Sequence, residues 1–95
     1  VLARTAGLLR DEQALLDELA GVIDPTDARA VRNAQPALAR RALRRWLTVD
    51  GYPPDAAAIE RVLAVARGEA EACELPGGRR VERHGQRFGI VAPDK

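Results

Sequence analysis

The chain has 95 residues, enough for one small domain with a modest core. Hydrophobic residues make up 46% and charged residues 31%, which excludes a disordered tail, and no apolar run approaches the roughly 18 residues of a membrane span. Net charge is only +1 but unevenly placed: residues 28–47 hold six Arg and no acid, residues 79–95 hold five bases and two acids, and the blocks before and between them are acidic. Two positive blocks of this kind point to a local anionic partner rather than to a uniformly basic protein.

Residues 2–23 have helical periodicity. Leu2, Leu9, Leu16 and Ile23 recur at heptad spacing, with Leu8, Leu15, Leu19 and Val22 beside them. The stripe predicts packing on the chain's own domain or on a preceding one. A coiled-coil seam is the alternative, on the minimum useful run of heptads. Asp11, Glu12, Asp17 and Glu18 mark the other side, read as a solvated face with no cation clustered against it. Asp24-Pro25-Thr26-Asp27 then breaks the helix, because the residue before a proline avoids helical geometry and Asp favours turns. Residues 28–35 are ambiguous: a short helix capped by Thr26 or Asp27, or an irregular connector.

Pro36 suits the first position of a helix, which then runs to about residue 48. Within it, Arg40, Arg41, Arg44 and Arg45 fall inside roughly 140° of arc at about 100° per residue. Ala39, Ala42, Leu43, Trp46 and Leu47 take the other side, which predicts a buried face and a basic face. Residues 50–54 form a loop with two prolines. Asp55 caps a further helix whose face is Ile59, Val62, Leu63 and Ala66, and Gly68 stops it. A different pattern follows: short apolar alternation at 73–75, a turn at Pro76-Gly77-Gly78, a strand at 79–83 with Val81 inward, a turn at His84-Gly85, and a strand at 87–91 with Phe88 and Ile90 on one face. Residues 92–95 read as a polar, frayed end. The expected fold is α+β and mostly helical, with about three helices followed by a small antiparallel β-meander.

Little in the chain suits catalysis. There is no Ser. Cys73 and His84 both lie on the meander, but a small thiol in an apolar strand position is ordinarily core, and a His in a turn is ordinarily solvated. The single cysteine excludes a disulfide framework and a clustered zinc site within one chain, in keeping with a reducing cytoplasm. Pro76-Gly77-Gly78 lacks the Lys and hydroxyl residue of a phosphate-binding loop. The absence of Met and of a secretory signal at the start reads as a piece of a longer cytoplasmic protein.

The informative set is basic: Arg40, Arg41, Arg44 and Arg45 on the helix, and Arg79, Arg80, Arg83 and Arg87 on the meander. Guanidiniums on a rigid element suit bidentate phosphate contacts with a nucleic-acid backbone. The competing reading is a solvated surface with ion pairs to Glu69, Glu71 or the acidic first helix. Three aromatic residues, Trp46, Tyr52 and Phe88, are too few for a base-stacking platform for single strands.

The order of motifs carries a family resemblance. Arg4-Thr5-Ala6-Gly7-Leu8-Leu9-Arg10-Asp11-Glu12, Leu15-Leu16-Asp17, Arg40-Arg41-Ala42-Leu43-Arg44-Arg45-Trp46-Leu47, Ile59-Glu60-Arg61-Val62-Leu63 and Glu74-Leu75-Pro76-Gly77-Gly78-Arg79-Arg80-Val81 follow one another. Together they resemble the C-terminal part of bacterial tRNA(Ile)-lysidine synthetases, the TilS or MesJ family, especially its actinobacterial members. The resemblance implies an ATP- and lysine-dependent ligase that converts the wobble cytidine of tRNA(Ile) to lysidine. It also implies that ATP and Mg belong to an N-terminal catalytic domain with a Ser-Gly-Gly-x-Asp-Ser loop, which this Ser-free chain lacks. On that reading, residues 1–23 are a helix leaving the catalytic domain and residues 24–95 a small accessory domain that helps hold tRNA(Ile). No catalytic, cofactor or metal residue carries over. The implied partners are tRNA(Ile) and the catalytic domain, with no membrane; a homodimer through the first helix is a further expectation. The alternative function is a non-catalytic helical module that binds a protein or DNA.

Overall fold

The computed structural model describes residues 2–92, with side-chain surroundings from residue 7 onward. Leu2's side chain in the heptad series and the end at 93–95 lie outside the described residues. In chain order the elements are α1 (Leu2–Gly21), α2 (Ala28–Asn33), α3 (Pro36–Leu47), α4 (Ala56–Ala66), β1 (Ala72–Glu74), a 3-10 turn (Pro76–Gly78), β2 (Arg80–His84) and β3 (Arg87–Val91). The fold is α+β and mostly helical, and the ambiguous 28–35 stretch becomes a fourth helix. Asp27 starts that helix, its carboxylate accepting from the backbone N–H groups of Arg29 (2.9 Å) and Ala30 (3.4 Å).

The core forms where α3 and α4 meet the sheet. Leu43 and Leu47 of α3 lie under Val62, Leu63, Val65 and Ala66 of α4, closed below by Val81 and Phe88. Trp46 is half-buried and lies against Phe88, the rings 6.1 Å apart and 16° from parallel. Asp55 caps α4 by accepting from the Ala58 N–H at 2.7 Å. The helix ends as Gly68 adopts φ +81°, a left-handed conformation that costs glycine little. The strands run antiparallel in the order β1-β2-β3, with Cys73 opposite Val81 and Val81 opposite Ile90.

One edge of the sheet is closed by the segment between α1 and α2. Ala28 N–H donates to the Gln86 carbonyl and Phe88 N–H to the Thr26 carbonyl, both at 2.8 Å. The free side of β3 is thereby partly paired instead of left open. Asp24 supports the clamp: it accepts from the Thr26 hydroxyl (2.6 Å), the Thr26 N–H (2.9 Å) and the Arg87 guanidinium (3.1 Å). These bonds, the Thr26 hydroxyl's first among them, hold the Asp24 carboxyl below its usual range.

The first segment follows the periodicity only in part: Ile23 packs against the core and Leu16 is half-buried. Against α3 the helix sets Gln13, Asp17 and the buried Ala20, spaced by four and three. Leu8, Leu9, Leu15, Leu19 and Val22 are exposed instead. The face read as solvated is therefore in part the packing face. The Cα radius of gyration of 14.9 Å exceeds the roughly 12 Å of a compact chain this long, and a helix of 20 residues that packs on one neighbour accounts for it. No described helix is long and apolar enough to cross a membrane.

Two outcomes test this packing. Leu43→Ala, at 0% exposure, is expected to cost about 2–5 kcal/mol in a denaturant titration. A lowered carboxyl stabilises above its unfolded value and loses that effect as pH falls through its native value. The stability gap between wild type and Asp24→Asn is therefore expected to narrow below about pH 4 in urea titrations across pH.

Candidate nucleic-acid interface

Burying Leu43 and Leu47 turns the opposite side of α3 outward, and the four arginines follow by helical spacing. Arg40, Arg41, Arg44 and Arg45 line one groove of about 440 Å³, with Asp17 of α1 on one side, Ile59 of α4 on the other and Thr48 at the end of the helix. The groove's arginines differ in their partners. Arg41 is held most closely: its guanidinium donates to Asp17 at 2.8 Å and to the Gln13 side-chain oxygen at 2.6 Å. Arg45 lies 3.9 Å from the same Asp17 carboxylate, above the end of α1. Arg40 forms a two-pronged pair with Glu60, at 3.1 and 3.2 Å, which holds the Glu60 carboxyl below its usual range. Arg44 has no ion pair among the described residues. Its backbone carbonyl accepts the Thr48 hydroxyl, which ties down the last turn of the helix.

Asp17 corrects the expectation that no cation gathers on the acidic side of α1. Asp17 draws in two arginines because α1 crosses α3 on that side. Ion pairs with α1 are thus part of the picture, as the competing reading had it, whereas the partners of Arg40, Arg41, Arg45, Arg80 and Arg87 are Asp17, Asp24, Glu60 and Glu82 and not Glu69 or Glu71.

The meander arginines do not join this groove. Arg79 borders a second depression beyond the end of α3, together with Leu47, Val49 and Tyr52. Arg80 pairs with Glu82 on its own strand at 3.4 Å. Arg87 pairs with Asp24. Arg83 turns inward, donating to the Val65, Ala66 and Gly85 carbonyls at 3.0, 3.3 and 2.6 Å, and so satisfies the end of α4. Arg32 also donates to the Ala66 carbonyl, at 3.4 Å. The sequence names the acidic first helix, and with it Asp17, as a source of ion pairs, but not Gln13 or Glu60 as contributors to the groove.

Cys73 and His84 are kept apart by strand geometry. Cys73 shares a face with its partner Val81, toward the core, and burial pushes its thiol up. His84 stands three residues from Val81, on the opposite face, near Glu82 at 3.4 Å. Among the described residues no group of three or more His, Cys, Asp or Glu is placed to hold a metal ion.

Comparison with known proteins adds a family to this geometry. The family model of the TilS substrate binding domain matches residues 27–88, from the cap of α2 to the middle of β3. The chain is 34% identical over 103 residues to the tRNA(Ile)-lysidine synthase of Yersinia pseudotuberculosis serotype O:1b, covering 96% of this chain and 23% of that protein. It is equally similar to the tRNA(Ile)-lysidine synthase of Yersinia pestis, of which it covers 22%. The chain thus spans less than a quarter of the length of these relatives. No solved structure matches.

The groove's electrostatics can be measured directly. Asp17→Asn is expected to elute from a heparin matrix at distinctly higher salt than Glu69→Gln, the same charge change at the far end of α4, with a stability change of at most about 1 kcal/mol. Equal elution shifts for the two variants would mean that Asp17 does not shape the potential of the groove.

Proposed function

The chain belongs to the TilS substrate binding domain family, and from that premise we propose that its α3 groove grips the sugar–phosphate backbone of a tRNA, tRNA(Ile) in particular. The observation that carries the reading is the convergence of four guanidiniums on one groove, with Arg44 lacking an ion pair among the described residues. A phosphate there would take up Arg44 and Arg45 first, and would compete with Asp17 for Arg41. This is positioning by backbone contact and does not read base sequence.

On this proposal the chain is one part of a longer cytoplasmic ligase that uses ATP and lysine to convert the wobble cytidine of tRNA(Ile) to lysidine. A separate catalytic unit holds ATP and Mg, and residues 24–95 hold substrate without taking part in the chemistry. Residues 1–23 connect the two units. The exposed leucines of α1 would pack against the remainder of that polypeptide, whose relatives are more than four times as long as this chain.

In the full-length protein, Arg44→Ala combined with Arg45→Ala is expected to weaken tRNA binding and to lower the slope of log affinity against log salt by roughly 1 to 2. Both side chains point outward, so the thermal melt is expected to stay close to wild type. An unchanged affinity and salt slope would remove the RNA role from this groove.

A further inference from the structure

We propose that Tyr52 is a stacking platform for one unpaired base of the bound RNA, a proposal that rests on the RNA reading above. The evidence is a stiff turn immediately after α3. Val49 N–H donates to the Tyr52 carbonyl at 3.1 Å and Tyr52 N–H donates back to the Val49 carbonyl at 2.8 Å. Between them Asp50 and Gly51 adopt φ of +51° and +80°, the pair of left-handed residues that closes a two-residue turn of type I′. Pro53 and Pro54 follow and fix the backbone on the far side. A rigid support thus carries Tyr52, a residue 79% exposed.

Of Phe, Tyr and Trp, the other two lie against each other, Phe88 buried and Trp46 half-buried. Tyr52 is therefore the exposed member of the three, and the other exposed ring, the His84 imidazole, lies on β2 beside Glu82 and away from this turn. Beside it lies a depression of about 360 Å³ with Leu47, Pro54 and Pro76 among its apolar walls, and Asp50 and Arg79 as its charged residues. Where Gly77 borders it, nothing stands within 4 Å of the position a side chain would take, so that side is open. An aromatic face, an apolar floor and a guanidinium are the parts that accept a flat heteroaromatic ring: the base stacks on tyrosine while Arg79 donates to oxygen or nitrogen on its edge.

The depression and the arginine groove share no lining residue, but both are bordered by the end of α3. Thr48 lines one, and Leu47 and Val49 line the other. Consecutive residues at the end of α3 would therefore serve a phosphate and a base of the same strand. One ring holds one base, so the ligand is an RNA with a base free of pairing and not an extended single strand.

The test uses the full-length protein, wild type, Tyr52→Ala, Tyr52→Phe and the Arg44/Arg45 double alanine variant. Binding is measured to a tRNA(Ile) transcript and to a fully paired RNA duplex of equal length. Tyr52→Ala is expected to bind the transcript about tenfold more weakly, with Tyr52→Phe like wild type and the duplex indifferent to both. Unchanged binding of Tyr52→Ala to the transcript, equal losses on both RNAs, or a loss in Tyr52→Phe as large as in Tyr52→Ala overturns the proposal. If the arginine variant alone is weakened, stacking fails and the RNA reading stands. If neither the arginine variant nor Tyr52→Ala is weakened, both fail. Coincident thermal melts for Tyr52→Ala and wild type exclude unfolding as the cause of a loss.

Discussion

Four like charges on one strip of a helix repel one another, and the arrangement around α3 answers that repulsion. Arg40 and Arg44 stand one turn apart, as do Arg41 and Arg45, a spacing at which like charges destabilise a helix. The helix cannot turn them elsewhere, because its other side is committed to Leu43 and Leu47. Carboxylates from two neighbours take up part of the load, Asp17 of α1 on one flank and Glu60 of α4 on the other. The two helices that pack against α3 are thus the ones that bring it counter-charge. Exposed pairs of this kind add little stability one by one. Their larger effect is to fix where the guanidiniums point and to leave Arg44 the least satisfied member of the set.

The same residue type does a different job a few ångströms into the fold. Arg83 is spent on carbonyls at the end of α4 and in the turn between β2 and β3, and Arg87 on the Asp24 clamp. Without Arg83, the Ala66 carbonyl would depend on water or on Arg32, while the Val65 carbonyl would keep the Gly68 N–H. The second basic block of the sequence is therefore divided between internal ties and a rim position at Arg79, while the first presents a continuous surface.

That division marks what the sequence could reveal. The amphipathic spacing of α3, the Asp55 cap, the stop at Gly68 and the 87–91 strand are local signals, and they were legible because each depends on its own neighbours. Helix α2 has six residues, too few to display a period, and it exists through the Asp27 cap and its packing against α4. The leucine stripe of α1 was legible as a stripe, but periodicity says which residues share a face and not which face meets a neighbour. The groove could be read as a basic strip on one helix. Its tuning by Gln13, Asp17 and Glu60 could not, because it depends on how α1 and α4 cross α3. Charge counting likewise could not separate Arg83, which is internal, from Arg79, which is not.

The clamp between residues 26–28 and 86–88 has a kinetic consequence. Ala28 N–H has no acceptor until Gln86 arrives, some sixty residues later, and the Phe88 N–H must wait in the same way for Thr26. Helices α3 and α4 can form and meet through near-neighbour contacts, but closing the sheet edge requires bringing both ends of the domain together, at the entropic cost of a long loop. Joining the segment ahead of α2 to the last hairpin is accordingly the late step of folding. A chain interrupted before that hairpin would hold most of its helices and yet leave the Thr26 carbonyl and the Ala28 N–H without their partners.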